Sequence, residues 1–192
     1  MAHFRPVALA HASRLINHGP TVLVTTAHGG VRNVMAAAWS MPVEFTPPRI
    51  AVVIDKQTYT RELAMASGAF GICVPGQALL DLTYAVGGTS GRDGDKFARH
   101  ALVAGTGPVL GMPVIEEGCA AWLECRLIRE PHAEDAYDTC FAEVVAAAAD
   151  ARIFVDGHWA YRDDNTELQS LHHLGGGNFV RAAGNLRAAG QV

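Results

Sequence analysis

Residues 32–54 read "RNVMAAAWSMPVEFTPPRIAVVI", and the fold turns on how this stretch divides. Pro47 and Pro48 exclude a helix, since each lacks a backbone N–H and restricts the residue before it, and the β-branched run after them starts a strand. Upstream, Thr21 to Ala27 and Val31 to Ser40 have strand character and flank "HGG", whose paired glycines supply the positive φ angles of a tight hairpin turn. The same stretch places Ala36, Ala37 and Ala38 beside a lone Trp39, so bulk is given up in the middle of a strand.

Working outward, Thr58 to Ser67 reads as a helix with Gly68 as its stop, and "AFGICVP" as a buried strand closed by Pro75. "QALLDLTYAV" is a second amphipathic helix, and Gly87 to Gly94 is a polar, glycine-rich loop. Cys119 to Arg129 and Phe141 to Val155 are longer strands, while the tail "LHHLGGGNF" is irregular and too apolar for a free end, so it is expected to pack on the body of the protein. Strands outnumber helices and no linker or repeat divides the chain. The expectation is a single domain over residues 1–192, an antiparallel β-barrel with helices on its rim.

Composition excludes several classes. The 192 residues are 49 % hydrophobic and 18 % charged, with a formal net charge of −4. That balance supports a folded core and offers no basic face for nucleic acid. Apolar runs such as "AVVI" and "VVAAAA" fall far short of the ~20 residues that cross a bilayer, so no membrane association is expected. The four cysteines form no CxxC pair and no zinc-type spacing, and no N-terminal apolar signal segment is seen. We read them as reduced core thiols of a cytoplasmic protein. The nine histidines are scattered without an i, i+4 pair and a third ligand, so no metal is inferred.

Small residues at 36–38 let another element pack closely, and taken alone that reading suffices. A flat heterocycle can also lie on a strand only where side chains are small, so that backbone groups reach its polar edge; a flavin has such an edge. After the next strand comes "DKQTYTREL", with Lys56, Thr58 and Thr60 at the start of a helix whose unpaired N–H groups favour an anion. An N-cap threonine beside a surface lysine is the plainer alternative.

Taken in order, "RNVMAAAWSMPVEFTPPRIAVVI", "TYTREL", "GAFGICVP", "SGRDGDKF", "PVIEE", "WLECRL", "EVVAA" and "LHHLGGGNF" resemble the flavin reductase-like family of FMN-binding split barrels, which includes the flavoredoxins. The resemblance runs from about Gly19 to Phe179. It implies a mainly β, six-stranded antiparallel Greek-key barrel, a homodimer, and an FMN site near the subunit interface. It also implies that Asn33, Met35, Ala36, Ala37 and Ala38 line the isoalloxazine edge, that Lys56, Thr58 and Thr60 lie near the phosphate, and that Ser90, Arg92 and Lys96 come from a loop covering the site. For Trp39 a place in the core is expected, since alternation turns it away from the Ala38 face.

The implied activity is an NAD(P)H:FMN oxidoreductase with NADH or NADPH as donor. Neither "GGTSG" nor "GGG" fits a dinucleotide fingerprint, so the donor has to bind without a Rossmann domain. Many reductases of this family carry a histidine before a Gly-Glu-Val step, where this chain has Tyr137, Asp138 and Ala142. His172 and His173 are the remaining catalytic candidates. The departure leaves open a second reading, an FMN-binding electron carrier served by a protein partner, and behind it a pyridoxamine phosphate oxidase-like enzyme.

Overall fold

The computed structural model of the chain describes residues 3–189. Its strands are β1 (Phe4–Pro6), β2 (Val22–His28), β3 (Val31–Ala37), β4 (Ser40–Phe45), β5 (Pro48–Val53), β6 (Ala69–Pro75), β7 (Gly105–Thr106), β8 (Pro113–Val114), β9 (Cys119–Ile128), β10 (Thr139–Asp150), β11 (Phe154–Val155), β12 (His158–Trp159), β13 (Leu171–Gly175) and β14 (Asn178–Arg181). Helices α1 (Tyr59–Ser67), α2 (Leu80–Gly87), α3 (Lys96–Arg99) and α4 (Pro131–Tyr137) lie between them. No described helix is long and apolar enough to cross a membrane.

The main sheet is antiparallel, in the order β3-β2-β6-β9-β10-β5-β4, with β1 added on β10. Its two end strands, β3 and β4, are joined only by Ala38 and Trp39. Laid flat, seven strands would separate the end strands by about 29 Å at ~4.8 Å per step. Three Cα steps span at most about 11 Å. The sheet must therefore roll until its ends meet, which makes a barrel with its seam at the Ala38–Trp39 corner. Six barrel strands were expected; the sheet has eight, because β1 and β4 extend it.

Local signals explain the elements. Gly29 and Gly30 adopt φ of 58° and 80° at the β2–β3 turn, open space around both. Thr58 caps α1 by accepting from the Arg61 N–H at 3.2 Å, and Gly68 ends it at φ 70°. Strand alternation then feeds two cores. Val22, Val24, Ile50, Phe70, Ile72 and Leu123 fill the barrel, while Leu23, Cys73 and Trp122 join Val86 of α2 and Phe97 of α3 on its outer side. Strand β6 is buried along its whole length, so it reads as an unbroken apolar run instead of an alternating one.

Three expectations change. The long strand expected at Phe141 to Val155 begins at Thr139 and stops at Asp150, whose carboxylate takes Arg152 Nη2 at 2.7 Å in a turn before β11. The tail is not irregular: β13 and β14 pair as a hairpin, and Gly175, Gly176 and Gly177 all take positive φ where it turns. Trp39 is not a core residue but is 74 % exposed, because β3 ends at Ala37 and strand alternation no longer governs the corner that follows. The Trp39 carbonyl accepts from Val53 N at 3.0 Å and ties the corner to β5.

Candidate functional site

A cleft with two lobes lies where β3, α1, α2 and the tail hairpin converge. One lobe, about 300 Å³, is bordered by Asn33, Thr58, Thr60, Ser90, Arg92 and Lys96. The other, about 290 Å³, is bordered by Ala36, Ala37, Ala38, Tyr84, His173 and Phe179. Gly87 and Gly88 line both, so the two lobes adjoin at the end of α2. A larger cavity of about 840 Å³ meets the first lobe at Tyr59, Gly91 and Arg92. Its two arginines are already engaged, Arg32 with Asp95 at 3.5 Å and Arg92 with Glu62 at 2.8 Å.

The first lobe is polar, and its parts hold one another. Arg61, buried in α1, fixes the helix: its guanidinium donates to the carbonyls of Ile54 at 3.1 Å, Asp138 at 3.2 Å and Glu134 at 3.2 Å. The carboxylate of Glu134 is buried and clasped by Arg129, whose hydrogen bonds hold it below the usual carboxylate range. Asn33 on β3 donates from Nδ2 to Thr60 Oγ1 at 2.9 Å. Its Oδ1 is buried without a hydrogen-bond partner, and a Cβ at Gly91 would collide with this amide. Ser90 accepts from the Arg92 N–H at 3.1 Å, and Arg92 lies over the Tyr59 ring at 5.2 Å while donating to the Gln57 carbonyl at 3.0 Å. The glycine-rich loop is thereby pinned to α1.

The two lysines differ in their place relative to the cleft. Lys56 borders neither lobe; its Nζ donates to the Asp135 carbonyl and pairs with Asp138 Oδ1 at 3.4 Å. Lys96 is not part of a covering loop but opens α3, buried, and donates to the carbonyls of Val34 at 2.9 Å and Val86 at 2.7 Å. Burial pulls its ammonium down to about 8, Arg99 adding to the effect and Asp93 opposing it.

The second lobe is largely apolar. Ala37 turns into the barrel core, while Ala36 lies close against Gly87 of α2, where an added Cβ would come within 3.3 Å. Ala38 is exposed at the corner. The tail hairpin brings Phe179 beside His173, their ring centroids 4.9 Å apart. Adjacent histidines on a strand point opposite ways. His173 thus borders the lobe, whereas His172 turns under the hairpin, donating from Nδ1 to the Gly19 carbonyl at 3.0 Å and lying edge-on to His18 at 5.6 Å. Since a carbonyl only accepts, His172 Nδ1 carries the proton in that bond.

Sequence reasoning passed over Tyr84, Gly87, Gly88 and Phe179. The first three were legible as one helix face, since positions i, i+3 and i+4 are neighbours on a helix. Phe179 stood in a motif but without a role, because only the hairpin brings it to β3.

Residues 14–163 match the family model described as flavin reductase like domain. The uncharacterized protein YddH of Escherichia coli K12 is 55 % identical over 190 residues, 98 % of this chain and all of that one. A crystal structure of an FMN-binding domain of flavin reductases-like enzyme from Shewanella baltica OS155 superposes with a TM-score of 0.90 at 42 % identity, covering 96 % of this chain and 97 % of that one. The flavoredoxin of Desulfovibrio vulgaris (Miyazaki F) superposes at 0.76 with 26 % identity, covering 89 % and 90 %. With the rolled sheet and the two-lobed cleft, these matches place the chain in the flavin reductase-like domain family.

Proposed function

We propose that this chain is an FMN-dependent oxidoreductase that takes hydride from NADH or NADPH. The observation that carries the reading is the two-lobed cleft: a hydroxyl-lined helix start leads directly onto a floor of alanines. The residues suit the cofactor. The first-turn N–H groups of α1 and the Thr60 hydroxyl, which only accepts within the protein, provide donors for a phosphate. Asn33 Oδ1, buried and without a partner, offers an acceptor to a ligand hydroxyl or N–H. Ala36 and Ala38 leave room for a flat ring against the strand, and Tyr84 and Phe179 border the same lobe. The similar Shewanella baltica structure, an FMN-binding domain, supports this choice of ligand.

When bound, FMN supplies a ring that accepts a hydride and releases electrons onward. The protein's part is to hold a donor ring in stacked contact and to exclude water, which the apolar lobe is built to do. A flavoredoxin-like electron carrier is the second reading, favoured by the 26 % identity to the Desulfovibrio protein and by the absence of a histidine at Tyr137 to Ala142.

We also infer a homodimer. Trp39, Met41, Val43 and Phe45 are 74 %, 59 %, 41 % and 72 % exposed along the corner and β4, an apolar edge that a second copy would cover. The test is direct. Flavin bands that persist through gel filtration, with NADH or NADPH oxidation dependent on FMN, are expected; bound flavin without nicotinamide turnover would select the carrier, and no flavin binding would end both readings.

A further inference from the structure

We propose that Lys96 supplies the positive charge that stabilises the negative charge a flavin ring acquires on reduction, a role that rests on the FMN reading above. Two of the three ammonium donors are used, on the carbonyls of Val34 and Val86. Those carbonyls hold the cation in place without neutralising it. Among the described residues no carboxylate pairs with Lys96, although its side chain is almost fully buried and borders the polar lobe. A buried cation of that kind is costly unless something answers its charge, and the side on which an answer can arrive is the cleft.

Position separates the ring from the phosphate. On the α1 side of the polar lobe, Arg92 is tied to Gln57 and Glu62 beside the helix start. Lys96 is held instead on the β3 and α2 side, by Val34 and by Val86, the residue before Gly87, which packs on Ala36 and borders both lobes. The charge on Lys96 therefore sits next to the alanine floor. Hydride from a nicotinamide donor brings two electrons and one proton together. A neutral ring becomes singly negative and the donor leaves with the matching positive charge. Burial and Arg99 lower the Lys96 ammonium to about 8 against the pull of Asp93, which still leaves it mostly charged at pH 7.

The experiment compares the parent protein, loaded with FMN, with two neutral variants, Lys96→Gln and Lys96→Met, and the charged variant Lys96→Arg. Affinities for oxidised FMN and oxidised riboflavin are measured by fluorescence titration, and the midpoint potential by dithionite titration with an indicator dye. Both neutral variants should keep oxidised FMN and riboflavin affinities close to the parent's while affinity for reduced FMN falls about tenfold, a drop of about 30 mV for a two-electron couple. Lys96→Arg should recover most of it. Loss of FMN but not riboflavin affinity at an unchanged potential would move Lys96 to the phosphate and overturn the proposal. An unchanged potential with a lower apo melting temperature, or failure of both neutral variants to fold, would make it a strut and also overturn it. A parent protein that binds no FMN would sink the cofactor reading itself, before any variant is compared.

Discussion

The two lobes of the cleft are built by different means. The polar lobe takes its helix cap and the Thr58 and Thr60 hydroxyls from one short segment, clamped to β3 by the Asn33–Thr60 bond. The apolar lobe is an assembly of parts far apart in sequence: the seam at Ala38, the exposed side of α2, and a hairpin from the far end of the chain. A ligand held by a phosphate and a ring meets a locally encoded end and a tertiary one, and the two should fail under different insults.

The largest expected effect falls on the apolar lobe through its cover. His18 lies under the tail hairpin between Trp159, Tyr161 and His172, its Nε2 at 2.9 Å from Ser170 Oγ. Burial, with the charge of His172 beside it, holds His18 down at about 4 against an ordinary 6.5. The unfolded chain therefore binds this proton more readily than the folded one. Stability is complete above about pH 6.5 and is lost as pH falls toward 4, by on the order of 2–3 kcal/mol. Apo melting temperature should drop over that window, with hydrogen exchange rising first in residues 171–181. A flat melting profile between pH 7 and 4.5 would remove the hairpin as the weak element.

Next comes Ala38→Leu, which puts carbon where the ring is proposed to lie. FMN and riboflavin affinity should fall together by about 1–3 kcal/mol at an unchanged apo melting temperature, because Ala38 is exposed. Ala37→Leu should do the reverse and overpack the barrel core, since Ala37 faces it. Unequal losses for the two flavins in Ala38→Leu would break the division between ring end and phosphate end.

In the polar lobe, Thr58→Ala removes the cap that accepts from Arg61 N and should destabilise α1 by about 1 kcal/mol, weakening FMN more than riboflavin. Equal weakening would deny the helix start its phosphate. The smallest effect belongs to Lys56→Ala. With its side chain half-exposed and its Nζ turned to Asp138, it should change FMN affinity by less than about 0.5 kcal/mol. A larger loss confined to FMN would restore Lys56 to the phosphate.

The same contrast governs what the sequence could reveal. The β2–β3 hairpin and the α1 cap were legible because Gly29–Gly30 and Thr58 act through their own backbone and that of their neighbours. The alanine floor was noticed for its missing bulk, but which alanine faces the cleft depends on where β3 stops. For the same reason Trp39 was assigned inward, on an alternation that ends at Ala37. The tail hid its hairpin because three consecutive glycines mark a break without giving its register. Lys96 and Lys56 were indistinguishable as letters; one is buried against two carbonyls and the other is drawn off by an aspartate 82 positions away.

The corner that joins β3 to β4 also determines where the chain tolerates added length. At the β2–β3 turn, Gly29 and Gly30 have nothing near them, so an inserted peptide would extend into solvent. Between Ala38 and Trp39 the same insertion would slacken the one short link that draws the end strands of the sheet together. Grafted tags, fusion points and new termini therefore belong at residues 29–30, and lineages of this protein that vary in length should vary there and not at the seam.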